Sequence, residues 1–171
     1  MKYLGCIVTL LFLGINVTAQ DFSYLKSIDL SDSSQKIEAQ EAAMECCCYL
    51  VGVRYDKKDE QRGLATAFVN EWMKANINEK DIMEGVEKIT AEVDGYNDMY
   101  LAFYIMNYID NDGELSLMEN KVEAVKGLLS YCGNSSNKLK VSKELKQVDQ
   151  LSQAGELEQY LTDAALTSSK E

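Results

Sequence analysis

The sequence predicts an all-α protein, a compact bundle or a set of stacked antiparallel helical hairpins of about six helices. Three observations carry this. Apolar residues recur at steps of three and four through most of the chain. No stretch of useful length alternates with period two, and the 171 residues include no proline, the residue that interrupts helix interiors. Short connections between the periodic segments favour neighbours packed side by side.

Residues 1–19 carry the pattern of a secretory signal peptide. Lys2 gives a positive start, Ile7 to Ile15 form a largely apolar run, and Val17-Thr18-Ala19 supplies a small-residue site, so cleavage is expected before Gln20. The run falls short of the roughly 20 residues a bilayer requires. Cys6 precedes the run instead of following it, which argues against lipid attachment. The expected destination is the periplasm or the extracellular medium.

Residues 20–34 read as a flexible leader whose apolar anchors are Phe22, Tyr24, Leu25, Ile28 and Leu30. Residues 35–163 form the expected single helical domain, and 164–171 a disordered tail. The first helix is expected from Ile37 to Val51, with Ile37, Met44, Cys47, Cys48 and Val51 as its apolar face. The second runs from about Glu60 to Ala75, where Leu64, Phe68 and Trp72 stack and Ala65, Val69 and Met73 widen the stripe. Asn78 suits the N-cap of a third, on which Ile82, Val86, Ile89 and Val93 recur until Gly95. From Asn97 to Ile109 the chain is apolar nearly all round, so that helix needs neighbours on several sides and belongs at the centre. Leu115, Met118, Val122, Val125, Leu129 and Cys132 alternate steps of three and four as a core seam capped by Gly133. A sixth helix carries Val141, Leu145, Val148 and Leu151 to Gly155, and a short last one carries Leu157, Tyr160 and Leu161.

The formal net charge of -11 opposes binding to nucleic acid or anionic lipid, because the phosphate attraction that dominates such binding has the wrong sign here. Removal of the signal segment deletes Lys2 and no acid, so the exported form is more acidic still. The absence of histidine removes the commonest general base and transition-metal ligand. Lys138, Lys140, Lys143 and Lys146 gather at one place, but Glu144 and Asp149 dilute them into a solvated face.

Three groups of residues are candidate sites. The segment from Tyr108 to Glu119 aligns partly with a calcium loop: with Gly113 at the sharp turn, Asp110, Asp112 and Glu119 fall at ligand positions, while Tyr108 stands where a first carboxylate belongs. The same residues suit a polar interhelical turn. Cys46, Cys47 and Cys48 cannot converge on one tetrahedral ion, since successive helical residues point about 100° apart. In an oxidising compartment Cys47 or Cys48 could instead bridge to Cys132, with Cys46 off the stripe; the alternative is that the three serve as small buried hydrophobes. Tyr96, Tyr100 and Tyr104 offer apolar rings with polar handles that could line a ligand groove, or could fill the core of a central helix.

The segments Ala67-Phe68-Val69-Asn70-Glu71-Trp72-Met73, Ala124-Val125-Lys126-Gly127-Leu128-Leu129-Ser130-Tyr131-Cys132 and Gly155-Glu156-Leu157-Glu158-Gln159-Tyr160-Leu161 resemble a group of uncharacterised exported all-helical proteins of Bacteroidota-type bacteria. The likeness spans residues 46–161 and rests mostly on core-pattern positions. It implies export and a helical fold, and it carries no activity, ligand or catalytic residue.

No catalytic constellation emerges from the residues, because no histidine is present to activate the serines and no acid pair stands out. The functional expectation is a non-enzymatic module that binds a protein or a small ligand through a pocket or apolar patch near the tyrosine-rich helix. Weak calcium binding through 108–119 and a carboxylate-based enzyme are the alternatives, and the latter needs acids from different helices to meet in one cleft.

Overall fold

The computed structural model describes residues 20–168. The expected signal segment, 1–19, and the last positions of the expected tail, 169–171, lie outside the described residues. Among the described residues there is no strand, and the helices are α1 (Lys36–Gly52), α2 (Glu60–Asn76), α3 (Glu79–Met83), α4 (Glu87–Thr90), α5 (Tyr96–Asp110), α6 (Leu117–Gly133), α7 (Lys143–Ala154) and α8 (Leu157–Ser168). The fold is an all-α bundle. None of these helices is long and apolar enough to cross a membrane.

The nearly uniform apolarity of α5 has the expected consequence. It packs most extensively on α6 and α1, and also touches α2 and α4. Its residues Tyr96, Met99, Tyr100, Leu101, Ala102, Tyr104 and Ile105 are all buried. Trp72 is buried on α2 beside Phe68, Val69 and Met73, and meets the ring of Tyr108 edge-on at 6.4 Å. Close approach of α5 and α6 depends on Gly127: a Cβ there would come within 2.5 Å of the Phe103 ring.

On α1 the core face is not the one expected. The buried residues are Ala39, Ala42, Ala43, Cys46, Cys47 and Leu50, whereas Ile37 is 76% exposed and Cys48 is exposed. The bulky residues set the expected face, but the small ones form a continuous stripe at three- and four-residue steps. That stripe lets α1 sit close to both α2 and α5. A similar rotation occurs on α6, where Lys121, Ala124, Val125, Leu128 and Cys132 are buried while Leu115, Met118, Val122 and Leu129 are only half-buried. Gly133 closes α6 without acting as a left-handed cap, since the following cap residue, Asn134, is extended.

The expected third helix is broken into α3 and α4. Asn78 does cap α3, accepting from the Lys80 amide. Gly85 then adopts φ +87°, and the carbonyls released by the break are served from other helices. Tyr100 Oη on α5 donates to the Ile82 carbonyl at 2.9 Å, and Lys121 Nζ on α6 donates to the Glu84 carbonyl at 2.7 Å. Lys121 is 2% exposed, so its stem fills the core while its head closes a backbone gap.

At Gly85 an added Cβ would lie 2.5 Å from the Leu161 carbonyl oxygen on α8. Left-handed backbone costs a residue with a Cβ about 1–2 kcal/mol, and crowding against a neighbouring backbone adds about 1–3 kcal/mol. Gly85→Ala is therefore expected to lower unfolding free energy by about 2–4 kcal/mol in urea titration. A loss below about 0.5 kcal/mol would show that this turn is not pinned by α8.

The leader is docked. Ser23–Ser27 and Ser33–Gln35 form 3-10 turns, Phe22 is fully buried against Tyr49, and its amide donates to Gln61 Oε1 at 2.7 Å. At the other end, α8 continues helical to Ser168, through residues expected to lie in the disordered tail.

Candidate functional site

A cleft of about 340 Å³ opens where the α1–α2 connection, the first half of α2 and the entry to α5 meet. Its wall is built outward from Asp59. This carboxylate caps α2, one oxygen accepting the Gln61 and Arg62 amides and the other accepting the Tyr49 hydroxyl at 2.7 Å. Burial opposes its ionisation, but the Tyr49 hydroxyl and the two amides outweigh that and hold Asp59 below the usual carboxylate range.

One turn into α2, Arg62 is 3% exposed. Its guanidinium donates to the Leu50 carbonyl at 2.9 Å, the Val53 carbonyl at 3.2 Å and the Tyr131 hydroxyl at 3.3 Å, and lies 5.2 Å from the centroid of the Tyr55 ring. Arg62 thus places a cation on a carbonyl in the last turn of α1, where the helix dipole favours positive charge. Among the described residues it forms no ion pair, and its Nε is buried without a hydrogen-bond partner. Thr66 Oγ1, one turn further along the cleft, is likewise buried and unpartnered.

The opposite wall comes from the start of α5. Gly95 enters this helix at φ +98°, and a Cβ there would strike the Tyr55 ring at 2.4 Å, so glycine is required both by conformation and by packing. On either side of that turn stand Asp94 and Asp98. Asp94 pairs with Lys57 across the rim, where both are largely exposed and the pair contributes little stability. Asp98 is half-buried and, among the described residues, makes no hydrogen bond or ion pair; burial pushes its carboxyl up, Arg62 opposes the rise and Asp94 adds to it.

The acids of the 108–119 segment lie where α5 gives way to α6. Glu119 closes a capping box at the start of α6, its carboxylate accepting the Ser116 amide at 2.9 Å while Ser116 Oγ accepts the Glu119 amide. Asp112 occupies a left-handed turn position at φ 51°, and Asp110 ends α5. Among the described residues no three acids or thiols gather in a metal-holding group.

The structure joins neither Cys47 nor Cys48 to Cys132: all are free thiols, as is Cys46. Cys46 is buried and Cys48 exposed, the reverse of the expected placement, because the α1 core face follows its alanines.

Tyr96, Tyr100 and Tyr104 face the core. All three are buried, with Tyr96 Oη donating to the Lys140 carbonyl at 2.7 Å and accepting the Ser142 amide at 2.9 Å, and Tyr100 Oη held by Ile82. The Tyr96 and Tyr100 hydroxyls tie the central helix to neighbouring backbone.

Tyr55, Arg62, Thr66 and Asp98 escaped sequence reasoning. One signal was present: Arg62 continues the stripe of Ala65, Val69 and Trp72, so a cation occupies a core position. Two smaller hollows, of about 220 and 260 Å³, flank Trp72 and share Lys36 and Asn76. Neither holds a buried unpartnered polar atom. Comparison of the chain with protein-family models, curated proteins and solved structures returns no match.

Proposed function

We propose that the chain is an exported, non-enzymatic binding module that holds a small ligand in the cleft between α2 and the start of α5. The observation that supports this reading is the set of uncommitted polar groups around one concavity: Arg62 Nε, Thr66 Oγ1 and the Asp98 carboxylate. Buried polar atoms are ordinarily paired, so two unpartnered ones on residues that line a space of ligand size, with a half-buried free carboxylate beside them, favour an occupant. Gly63 supports the same reading. It sits inside α2 on the cleft with nothing within 4 Å of where a Cβ would stand, so the helix forgoes about 1 kcal/mol of propensity and the space stays open.

The carboxylate-enzyme reading gains four acids in one cleft, Asp56, Asp59, Asp94 and Asp98. Three are engaged, Asp59 as a cap, Asp94 with Lys57 and Asp56 with the Lys58 amide. Acid and base roles need two available carboxyls, and Asp98 alone is uncommitted.

The test is a thermal-melt screen of the wild-type protein and Gly63→Leu against small polar metabolites, including amines, amino acids, carboxylates and sugars. The leucine adds bulk on the cleft wall at a helix position where its Cβ meets nothing within 4 Å. A compound that raises the wild-type Tm and leaves the variant unmoved supports the reading. A screen in which nothing acts, or in which every active compound shifts both proteins equally, sinks it.

A further inference from the structure

Resting on the cleft as a binding site, we infer that its ligand is a small zwitterion of the free α-amino acid class, with its ammonium on Asp98 and its carboxylate on Arg62 and Thr66. Arg62 Nε can only donate, so it needs an acceptor; Asp59 and Asp98 feel the guanidinium charge, but among the described residues none of the carboxylates pairs with it directly. Asp98 accepts and, among the described residues, has no donor. A ligand that serves both must present an anionic acceptor at one end and a cationic donor at the other.

Ligands with a single charge fit less well. The cleft is lined by four carboxylates and two cations, Lys57 and Arg62, so a simple anion meets net repulsion. A simple amine relieves the repulsion between Asp94 and Asp98 but leaves Arg62 Nε without an acceptor. Lys57 gives the zwitterion a further contact. It is exposed at the rim and held only by Asp94, so its head can turn from that carboxylate to the carboxylate of the ligand. The ring of Tyr55 and the open face at Gly63 leave room for a side chain.

Calorimetric titration of the purified full chain with each of the twenty standard amino acids, and with ethylamine and acetate as its two halves, tests this. At least one amino acid should bind with Kd below about 1 mM. Ethylamine and acetate should each bind at least about tenfold more weakly, and Asp98→Asn and Thr66→Val should each weaken the amino acid about tenfold or more. Both substitutions lie off the Arg62 cap, and circular dichroism verifies the fold. Ethylamine binding as tightly as any amino acid would make the cleft a cation site and overturn the inference. Amino-acid binding unaffected by Asp98→Asn and Gly63→Leu would place it elsewhere, with the same result. Should the melt screen find a cleft ligand while no amino acid binds, the zwitterion is wrong and the binding module stands; should nothing bind in either experiment, both fall.

Discussion

Above about pH 9 the protein is expected to lose stability steeply, more than any single substitution would cost. An unfolded thiol titrates near 9.0, but burial, aided by Glu45, pushes Cys46 up to about 12, and burial pushes Cys132 up to about 11. Cys47 is raised well above its ordinary value by burial and by its two neighbours. Burial also raises Tyr96, Tyr100, Tyr104 and Tyr131 above the ordinary tyrosine value of 10.0. Below about pH 8 these groups are neutral in both states and pH has no purchase on them. As pH rises past their unfolded values the unfolded chain ionises first, and each group held neutral by the fold costs about 1.4 kcal/mol per pH unit. Lys121 acts in the other direction: burial lowers its pKa, so the fold gains as that ammonium loses its proton. It is one group against seven. Three thiols alone imply a slope near 4 kcal/mol per pH unit, against a total stability of order 5–15 kcal/mol. Guanidinium titrations under reducing conditions should give equal midpoints at pH 7 and 7.5 and a collapse by 10.5. Cys132→Ala should make the early part of the fall shallower. A midpoint unchanged to pH 10.5 would mean that these thiols and phenols are not held in a dry core.

Those groups are also where the sequence was hardest to read. Periodicity located every long helix, because the three-to-four step survives local detail. It misjudged which side of α1 faces inward, since Ile37 and Met44 outweigh Ala39, Ala42 and Ala43 on any hydrophobic count, whereas packing between helices rewards the small stripe. It joined α3 to α4, because the donors that stabilise the break at Gly85, Tyr100 and Lys121, belong to other helices and carry no local signal. The tyrosines of α5 were recognised as a concentration, yet whether their rings faced ligand or core depended on neighbours far along the chain. The cleft was hidden for the same reason. Tyr55, Arg62 and Asp98 are separated by loops and a helix, and only the fold brings them to one concavity.

Replacing Arg62 by leucine should lower unfolding free energy by about 3–4 kcal/mol. The residue joins two helix ends through one side chain. Asp59 caps the start of α2 and Arg62, one turn on, reaches back to the end of α1, so the connection between the helices is fixed from both sides. Leucine retains much of the packing and deletes the donors. The Leu50 carbonyl then loses the side-chain donor it has in the fold, and an unserved buried acceptor costs about 1–3 kcal/mol. The Val53 carbonyl fares better, because Tyr131 Oη also donates to it at 2.6 Å. Loss of the cation over the Tyr55 ring and of its favourable place at the negative end of α1 adds about 1–2 kcal/mol. Arg62→Lys should fall between, since an ammonium can reach one carbonyl but lacks the planar fork that serves two acceptors and stacks on a ring. Tyr131→Phe should cost about 1 kcal/mol alone. Combined with Arg62→Leu it should cost more than the two losses added together, because the Val53 carbonyl is then without either donor. Urea titration of the three single variants and the double variant measures all of this. Arg62→Leu within about 0.5 kcal/mol of wild type would show that the buried guanidinium does not hold the helix ends together.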